Sequence, residues 1–488
     1  MGWHAWEARA DSNTQLNQAR RRKFPGLLIC DAAMPYRPDG TRWVFPFYLA
    51  LLVWAPIPLG SNRFWSWALL AGCVFLLALW WLGSFIRGNS TVPPILRQAW
   101  PMLACALLWL GYVWFQLIPL PIQLLQLISP ETARWYQAAA PESISMAPLT
   151  LDHFATLEAA CKSTAYIAFF TLSLILLDNR DRIRFAAYAL IVSGVLQALY
   201  GTLMIRFEDS EVTAAGTFVN RNHYAAYLVM CLSAGIGVLI ANLSGTSNRS
   251  WGRFFRNLSR WIISPKMALR LGLVVMVIAL VLTRSRMGNI SFFISLLATG
   301  TIGLLLSKHA TKSMVVLLVS LIAIDVFIVG SYFGTQRLVE RIAQTTAATE
   351  DRPDVALYVI SMWKDYPVFG SGLGSFPVVF PRYAGERIAM AYTHAHNDYL
   401  EFAAQIGLLG LAPLGLMVLM SFAAALRAQY VRHDPLMRGL SFASTMGILA
   451  LMIHSAVDFN LQIPANALTF MLLLALAWIS LYHPGPES

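Results

Sequence analysis

The sequence has 488 residues, of which 57% are hydrophobic and 12% are charged, and its formal net charge is +11. This apolar content exceeds that of ordinary soluble domains, and many apolar runs reach the length of about 18 residues that a transmembrane helix needs. The composition therefore excludes an ordinary soluble domain and predicts an all-α polytopic membrane protein. The five cysteines form no Cys-x-x-Cys pair and four of them fall in apolar runs, so neither a metal site nor a disulfide framework is predicted.

Residues 1–43 are polar, include the basic run 20–23 and lack an apolar core for a cleavable signal, which predicts a cytoplasmic N-terminal tail. About twelve transmembrane helices are predicted after it, at 44–60, 64–86, 98–118, 156–177, 185–205, 223–241, 268–283, 289–306, 313–333, 397–425, 439–457 and 466–482. The predicted organisation is the tail 1–43, transmembrane helices 1–9 at 44–333, one large periplasmic loop at 334–396, transmembrane helices 10–12 at 397–482 and a cytoplasmic C-terminal tail at 483–488.

The basic residues indicate topology rather than nucleic-acid binding. Most of the 36 Lys and Arg residues lie in the tail and in alternate connections such as 242–270, which are cytoplasmic if both termini are. Short cytoplasmic loops of membrane proteins carry this excess. We therefore predict no nucleic-acid partner and place the connections 119–155, 206–222 and 334–396 on the outer side of the membrane.

Among these outward connections, we expect only 334–396 to form structure of its own. Apolar residues recur there at helical spacing, after start signals at 351–353: Val355, Tyr358, Val359, Met362 and Trp363. The pattern predicts a short amphipathic helix that lies on the membrane surface, and it equally allows a helix packed on the transmembrane core. The glycine-rich stretch 370–375 resembles a phosphate loop but follows no strand, so it is predicted to be a flexible turn.

A polar cluster from His394 to Glu401 precedes the apolar run of the tenth predicted helix. Asp398, followed three residues later by Glu401, predicts an N-cap and its partner. Gly407 follows His396 by eleven residues, nearly three helical turns, so it would stack below the imidazole and let another helix approach closely. The cluster is thus predicted at a helix mouth, where the histidine either belongs to a site or only satisfies the end of the loop.

Four polar clusters face one leaflet in this topology: 216–223, 283–286, the stretch around His396, and His454 with Asp458. Arg284 and Arg286 offer planar, permanently charged forks that suit phosphate, although arginines at a helix end also extend to lipid headgroups. His454 and Asp458 are spaced i, i+4 on one predicted helical face, so the carboxylate can fix the imidazole tautomer. The alternative is a structural pair that closes the helix end.

Asp325 lies near the middle of the ninth predicted span, where a charge must be neutralised, paired or placed at a cavity. A proton-coupled transporter needs such a residue, but polar residues also tie transmembrane helices together. Transporters further show paired repeats and helices broken near mid-membrane, and the sequence indicates neither. A transporter of lipid-linked glycan or solute is therefore the alternative from a different class of function.

The pattern His396-Asn397, nine residues, then Gly407-x-x-Gly410 resembles the signature of the bacterial O-antigen ligase and O-antigen polymerase superfamily. Other stretches are similar to that superfamily as well: 216–223, Ser285-Arg286, 370–376, His454-x-x-x-Asp458-Phe459 and 464–466. The resemblance runs from about 210 to 480, whereas 1–150 matches only as apolar spans.

The resemblance implies a multi-pass glycosyltransferase of the bacterial inner membrane that works without metal or cofactor. Such an enzyme moves a glycan en bloc from undecaprenyl diphosphate to an acceptor hydroxyl at the periplasmic face, in O-antigen or exopolysaccharide biosynthesis. By resemblance, His396 and Asn397 are catalytic and Arg221, Arg284 and Arg286 bind the donor diphosphate. The supporting residues are His223, His394, Asp398, His454 and Asp458.

The expected partners are the undecaprenyl-diphosphate-linked donor, a glycan or lipid A core acceptor, and the lipid bilayer. We favour polymerisation of a lipid-linked repeat unit, because the loop 334–396 with its predicted surface helix offers room for a second lipid-linked chain. Ligation to lipid A core is the alternative.

Overall fold

The computed structural model describes residues 41–140, 144–205, 213–243, 265–306, 319, 352–385 and 391–484. Within these ranges the chain is mostly α-helical, and a helix coincides with each predicted span except 313–333. Apart from residue 319, that span lies outside the described residues, as does Asp325. The described α-helices in chain order are α1 (Val44–Trp54), α2 (Phe64–Ile86), α3 (Pro94–Gln98), α4 (Trp100–Phe115), α5 (Ile122–Ile128), α6 (Pro130–Ala139), α7 (His153–Leu176), α8 (Arg180–Ile205), α9 (Arg221–Leu243), α10 (Pro265–Leu282), α11 (Arg286–Leu306), α12 (Arg352–Asp365), α13 (Phe376–Val379), α14 (Asp398–Val431), α15 (Pro435–Ser455) and α16 (Pro464–Tyr482).

Eight of the described helices are long and apolar enough to cross a membrane, namely α2, α7, α8, α9, α11, α14, α15 and α16. The helices α1 and α4 are also apolar but shorter. Large apolar side chains such as Leu76, Leu107 and Leu419 are exposed on the outer faces of the bundle. Such extensive apolar exposure is expected of a surface that contacts lipid. The fold is thus an all-α polytopic membrane fold.

Helix α16 forms the centre of the bundle. Every residue from Pro464 to Leu481 is buried, as expected for a helix that is apolar on all sides. Helices α7, α14 and α15 pack against it. Helices α9 and α15 cross so closely at Gly237 and Gly439 that a Cβ on either glycine would overlap the other's carbonyl. Small residues therefore permit this close contact between α9 and α15.

The connection 119–155 has structure of its own, so the prediction that only 334–396 would form structure was wrong. Strand β1 (Leu120–Pro121) pairs antiparallel with β2 (Met146–Ala147), with Leu120 opposite Ala147. Helices α5 and α6 lie between the strands. Apolar residues of the connection, including Ile122 and Leu125 of α5 and Leu149 after β2, bury each other and stabilise it.

Helix α12 is the amphipathic helix that the sequence predicted, and it packs on the protein rather than lying on the membrane surface. Val355, Val359 and Met362 are fully buried. They pack in one cluster with Phe376 and Phe380, and with Ala395 and Ala404 of the chain around the start of α14. The apolar face of α12 is therefore covered by this cluster, and the packed alternative is the correct one.

Helix α14 is broken at Gly407, a feature that the sequence analysis did not predict. Gly407 has φ +58° and ψ −172°, a conformation that is essentially restricted to glycine. The break frees backbone groups that a continuous helix would pair internally. Segment 367–372 pairs with them, since Leu408 N donates to Pro367 O (2.9 Å) and Gly372 N donates to Gln405 O (2.9 Å).

Two glutamine side chains complete this junction. Gln116 donates to Phe369 O (3.0 Å) and Gln405 O (3.1 Å), and accepts from Leu373 N (3.0 Å). Gln405 accepts from Gly374 N (2.8 Å). The glycine-rich stretch is therefore a buried, hydrogen-bonded segment, and the prediction of a flexible turn was wrong. The close approach at Gly407 is likewise made by this segment and not by another helix.

Candidate functional site

A cavity of about 590 Å³ lies at the mouth of α14, beside the ends of α9, α11 and α15. We call it the arginine cavity. Seven of the predicted site residues line it: Arg221, Arg284, Arg286, His396, Asn397, His454 and Asp458. Residues that lie far apart in the sequence thus meet around one space, whose apolar wall includes Met287 and Ile290.

The arginines reach the cavity from two helix beginnings and one tight turn. Arg221 begins α9 and Arg286 begins α11. Arg284 lies in the turn before α11 with a φ of +53°, in the left-handed region that few residues other than glycine adopt. Thr283 supports this turn by accepting from Ser285 N at 3.0 Å. Guanidinium groups and helix N-termini both favour anions, so the cavity suits a phosphate-bearing ligand.

His396 also has a left-handed backbone, with φ +49°. Such strained conformations cost about 1–3 kcal/mol and persist only where the surroundings impose them. Here Glu401, which is buried, accepts from Ala395 N at 2.8 Å and contacts His394 Nδ1 at 2.9 Å. The Glu401 carboxylate therefore fixes the peptide segment immediately before His396.

The start of α14 differs by one residue from the prediction. Asn397 is the N-cap, since its side chain accepts from Leu400 N at 3.1 Å. Asp398 is the first helical residue, and its carboxylate turns inward to accept from Ser455 Oγ (2.7 Å) and Leu461 N (3.1 Å). It is buried and does not line the arginine cavity. Asp398 thus ties α14 to the segment after α15.

Asp458 is the acidic centre of the cavity. Its Oδ1 lies 3.4 Å from His396 Nδ1 and 3.4 Å from His223 Nε2, and it accepts from Phe459 N at 2.9 Å. Burial alone would raise the pKa of Asp458, but the two imidazoles outweigh burial and hold this pKa well below its ordinary value. The carboxylate is therefore charged, and it faces the Nδ1 side of His396.

The expected pairing of His454 with Asp458 on one helical face was wrong. Helix α15 ends at Ser455, so Asp458 leaves the helix and turns to His396 and His223 instead. His454 is buried at the cavity wall, and neither of its ring nitrogens has a hydrogen-bond partner among the described residues. His223 lies beneath Asp458, also buried, and its carbonyl accepts from Asn466 Nδ2 at 3.1 Å.

The ring of Phe459 contacts three imidazoles. Its centre lies 4.1 Å from that of His394, in a stacked arrangement, and 4.4 Å and 4.9 Å from those of His223 and His396, edge-on. His394 and His396 therefore lie against one aromatic ring but do not share a cavity. His394 faces a second cavity, which includes Gly374 and Lys162 in its wall.

Three residues that build the site were given no role in it by the sequence analysis: Glu401, Phe459 and Gln405. Glu401 was assigned only as a capping partner of Asp398, whereas its carboxylate instead accepts from Ala395 N and contacts His394 Nδ1. Phe459 and Gln405 are apolar or neutral, so no charge pattern marks them. Among the described residues, no group of three His, Cys, Asp or Glu side chains is arranged to hold a metal ion.

Comparison with protein families gives one match to this site region. Residues 271–415 match the family described as O-antigen ligase, a range that contains Arg284, Arg286, His396 and Asn397 but not Arg221 or Asp458. A comparison with curated proteins gives no match. The family implies a ligase or polymerase type of enzyme that uses lipid-linked glycans in a membrane, in polysaccharide biosynthesis. Residues 271–415 are therefore similar to the O-antigen ligase family, in agreement with the resemblance that the motifs indicate.

Proposed function

We propose that the protein transfers a glycan en bloc from undecaprenyl diphosphate to an acceptor hydroxyl, at a site that faces the periplasm of the bacterial inner membrane. The observation that carries this proposal is the arginine cavity, where Arg221, Arg284 and Arg286 meet the His396–Asp458 pair. The cations supply a place for a diphosphate, and the imidazole supplies a proton acceptor beside it.

The proposed reaction begins with the acceptor hydroxyl beside His396. If Nδ1 carries the ring proton towards Asp458, Nε2 presents its lone pair to the cavity. The hydroxyl oxygen then forms a bond to the anomeric carbon of the donor sugar, and its proton passes to His396. The bond from that carbon to the diphosphate breaks, and its electron pair leaves with the diphosphate. Asp458 stabilises the imidazolium that results.

The arginines act on the leaving group. As the glycosidic bond breaks, negative charge develops on the diphosphate, and guanidinium groups already in place stabilise this charge more than the ground state. Because the donor is already activated, the reaction needs no nucleotide. The residues of this chain therefore account for binding, proton transfer and charge stabilisation, and the proposal includes no metal or cofactor.

The left-handed backbones of Arg284 and His396 support the same proposal. Strain of this kind gathers at functional sites, where it holds side chains in a required direction. A histidine that only satisfied a loop end would not need a buried glutamate to fix the preceding peptide, as Glu401 does. The strained residues instead both line the arginine cavity.

The deciding experiment is transfer by purified protein in vesicles that contain a defined undecaprenyl-diphosphate-linked oligosaccharide. We expect His396→Ala to lose about 10²-fold to 10⁴-fold in rate, the usual loss on removing a positioned base, while still binding donor. His433→Ala is the matched control, because that histidine is exposed in the connection between α14 and α15. Near-normal turnover of His396→Ala would refute the assignment of the base.

The sequence-based preference for a polymerase depended on a surface helix in 334–396, and α12 is instead packed on the protein. Polymerisation and ligation to lipid A core are therefore equal alternatives within the enzyme class. Deleting a polymerase leaves single repeat units on the carrier, whereas deleting a ligase leaves long chains that remain lipid-linked.

One observation favours the transporter alternative, since α14 is broken in the way some transporter helices are. The freed backbone groups of that break bond to segment 367–372. A transporter would also form no new glycosidic bond in the vesicle assay.

A further inference from the structure

The second cavity has a volume of about 420 Å³ and lies among α7, α14 and α16. We call it the side chamber. Its inner wall is apolar and includes Met417 and Val418 of α14 and Phe470 and Leu474 of α16. Its other end is polar, with His394, Glu158, Lys162 and Gln462. The side chamber is therefore amphipathic, unlike the cationic arginine cavity.

An ion pair lies in the wall of this chamber. Lys162 Nζ is 2.5 Å from Glu158 Oε1, and the two side chains are only 22% and 26% exposed. Lys162 is nine residues into α7, about 13 Å from the start of the helix. Charged groups at such a depth of a membrane helix are costly unless they pair or face a polar cavity, and they commonly mark a ligand path. Both residues are part of the chamber wall.

Besides this ion pair, the chamber wall contains a polar group without a hydrogen-bond partner among the described residues, the side-chain amide nitrogen of Gln462. The Nε2 of Gln462 is buried, and it makes no hydrogen bond within the described part of the chain. Buried donors are rarely left unpaired, so such an atom points to a ligand that accepts its hydrogen bond. Gln462 lies in the short turn before α16, next to Leu461, whose N–H holds Asp398.

We propose that the side chamber binds a second amphiphile, with a hydrocarbon chain between α14 and α16 and a hydroxyl-bearing sugar head at Lys162, Glu158 and Gln462. The pair of Lys162 and Glu158 is neutral overall and offers both a donor and an acceptor, which suits sugar hydroxyls better than an isolated phosphate. The aromatic rings of Trp109 and Tyr166 in the wall add flat apolar surfaces.

This ligand is the acceptor, an assignment that rests on the proposed function. His394 in the side chamber and His396 in the arginine cavity are two residues apart, so at most about 7 Å of backbone separates them. Both rings contact Phe459. Phe459 therefore marks the boundary between the two cavities, and an acceptor glycan that extends past this ring from the side chamber reaches His396, while the donor diphosphate occupies the arginine cavity.

The binding test uses the unmodified protein in nanodiscs. Two photoreactive probes of equal chain length carry a diazirine at the tail end: an alkyl glucoside and an alkyl phosphocholine. We expect the glucoside to label peptides containing Met417 and Leu474 several-fold more than the phosphocholine does. Peptides with the exposed residues Leu76 and Leu107 should show no preference. Equal labelling of all four positions by both probes would overturn the proposal.

The kinetic test uses Lys162→Met and Glu158→Gln. Losing about 1 kcal/mol of hydrogen bonding to the sugar should raise the KM for acceptor about fivefold, with the KM for donor and kcat unchanged. Arg184→Met is the matched control, because Arg184 and Asp181 form a similar helical pair on the exposed surface of α8. An unchanged acceptor KM in both chamber variants would overturn the proposal.

The two hypotheses fail in different ways. If the native protein shows glucoside-selective labelling but transfers no glycan, the proposed function is wrong and the sugar-binding chamber is supported. If the protein transfers glycan but labelling is unselective, the chamber assignment is wrong and the proposed function is unaffected.

Discussion

Replacing Gly407 by alanine tests the junction that shapes the site. At φ +58° and ψ −172°, any residue other than glycine is strained by about 1–3 kcal/mol. A Cβ would also overlap the Val368 carbonyl and the backbone of Gly370, and overpacking of this kind costs about 1–3 kcal/mol. We therefore expect Gly407→Ala to destabilise the protein by about 2–6 kcal/mol.

Gly415→Ala is the matched control, because it lies in the same helix with helical backbone and nothing within 4 Å of an added Cβ. Alanine there should stabilise the helix by up to about 1 kcal/mol. The assay is thermal unfolding of both variants in detergent, followed by intrinsic fluorescence and by loss of the monodisperse peak. A melting temperature of Gly407→Ala equal to that of Gly415→Ala would refute the argument that segment 367–372 and the break in α14 form one rigid junction.

Three further predictions concern carboxylates. Asp458→Asn should lower kcat by about 10²-fold or more, because an amide does not stabilise the His396 imidazolium, and donor KM should stay constant in the vesicle assay. Glu401→Gln should reduce the free energy of unfolding by about 1–3 kcal/mol and so lower the melting temperature, because the amide no longer matches the donors at Ala395 and His394. An unchanged melting temperature would contradict this prediction. For Asp434, burial alone would raise the pKa, but the Arg180 guanidinium and backbone N–H groups lower it below its ordinary value of 3.8, so the native protein binds this proton less readily than the unfolded chain. Its stabilisation is therefore fully present above the unfolded-state pKa and is lost as the pH falls through the folded-state pKa. Asp434→Asn should melt below wild type at pH 7 and approach it only as the pH falls below 3.8 through the folded-state pKa.

The sequence was sufficient to predict the helical membrane fold and the cluster around His396. Long apolar runs have one stable form in a membrane, so hydropathy alone locates helices such as α7 and α16. The arginines and histidines were found because charged groups beside such runs are few. Their convergence in one cavity followed from placing Arg221, Arg284 and His396 at the same leaflet.

The details that the sequence did not reveal depend on contacts between distant segments. A glycine in an apolar helical run is ordinarily tolerated, so nothing local marks Gly407 as a break; the evidence is its pairing with segment 367–372, more than thirty residues earlier. The i, i+4 spacing of His454 and Asp458 assumed a helix that in fact ends at Ser455. Both errors came from extending a helix beyond the point at which tertiary hydrogen bonds replace it.

The central position of α16 has a consequence for how the protein is made. This helix comes after every other described span in the sequence, yet it fills the middle of the bundle. During translation, α7, α14 and α15 enter the membrane before residues 464–482 are synthesised. Until α16 is present, lipid or an insertion factor must cover the inner faces of these helices. A ribosome stalled, or a chain cut, before residue 464 should therefore yield a loosely assembled product that quality-control proteases remove.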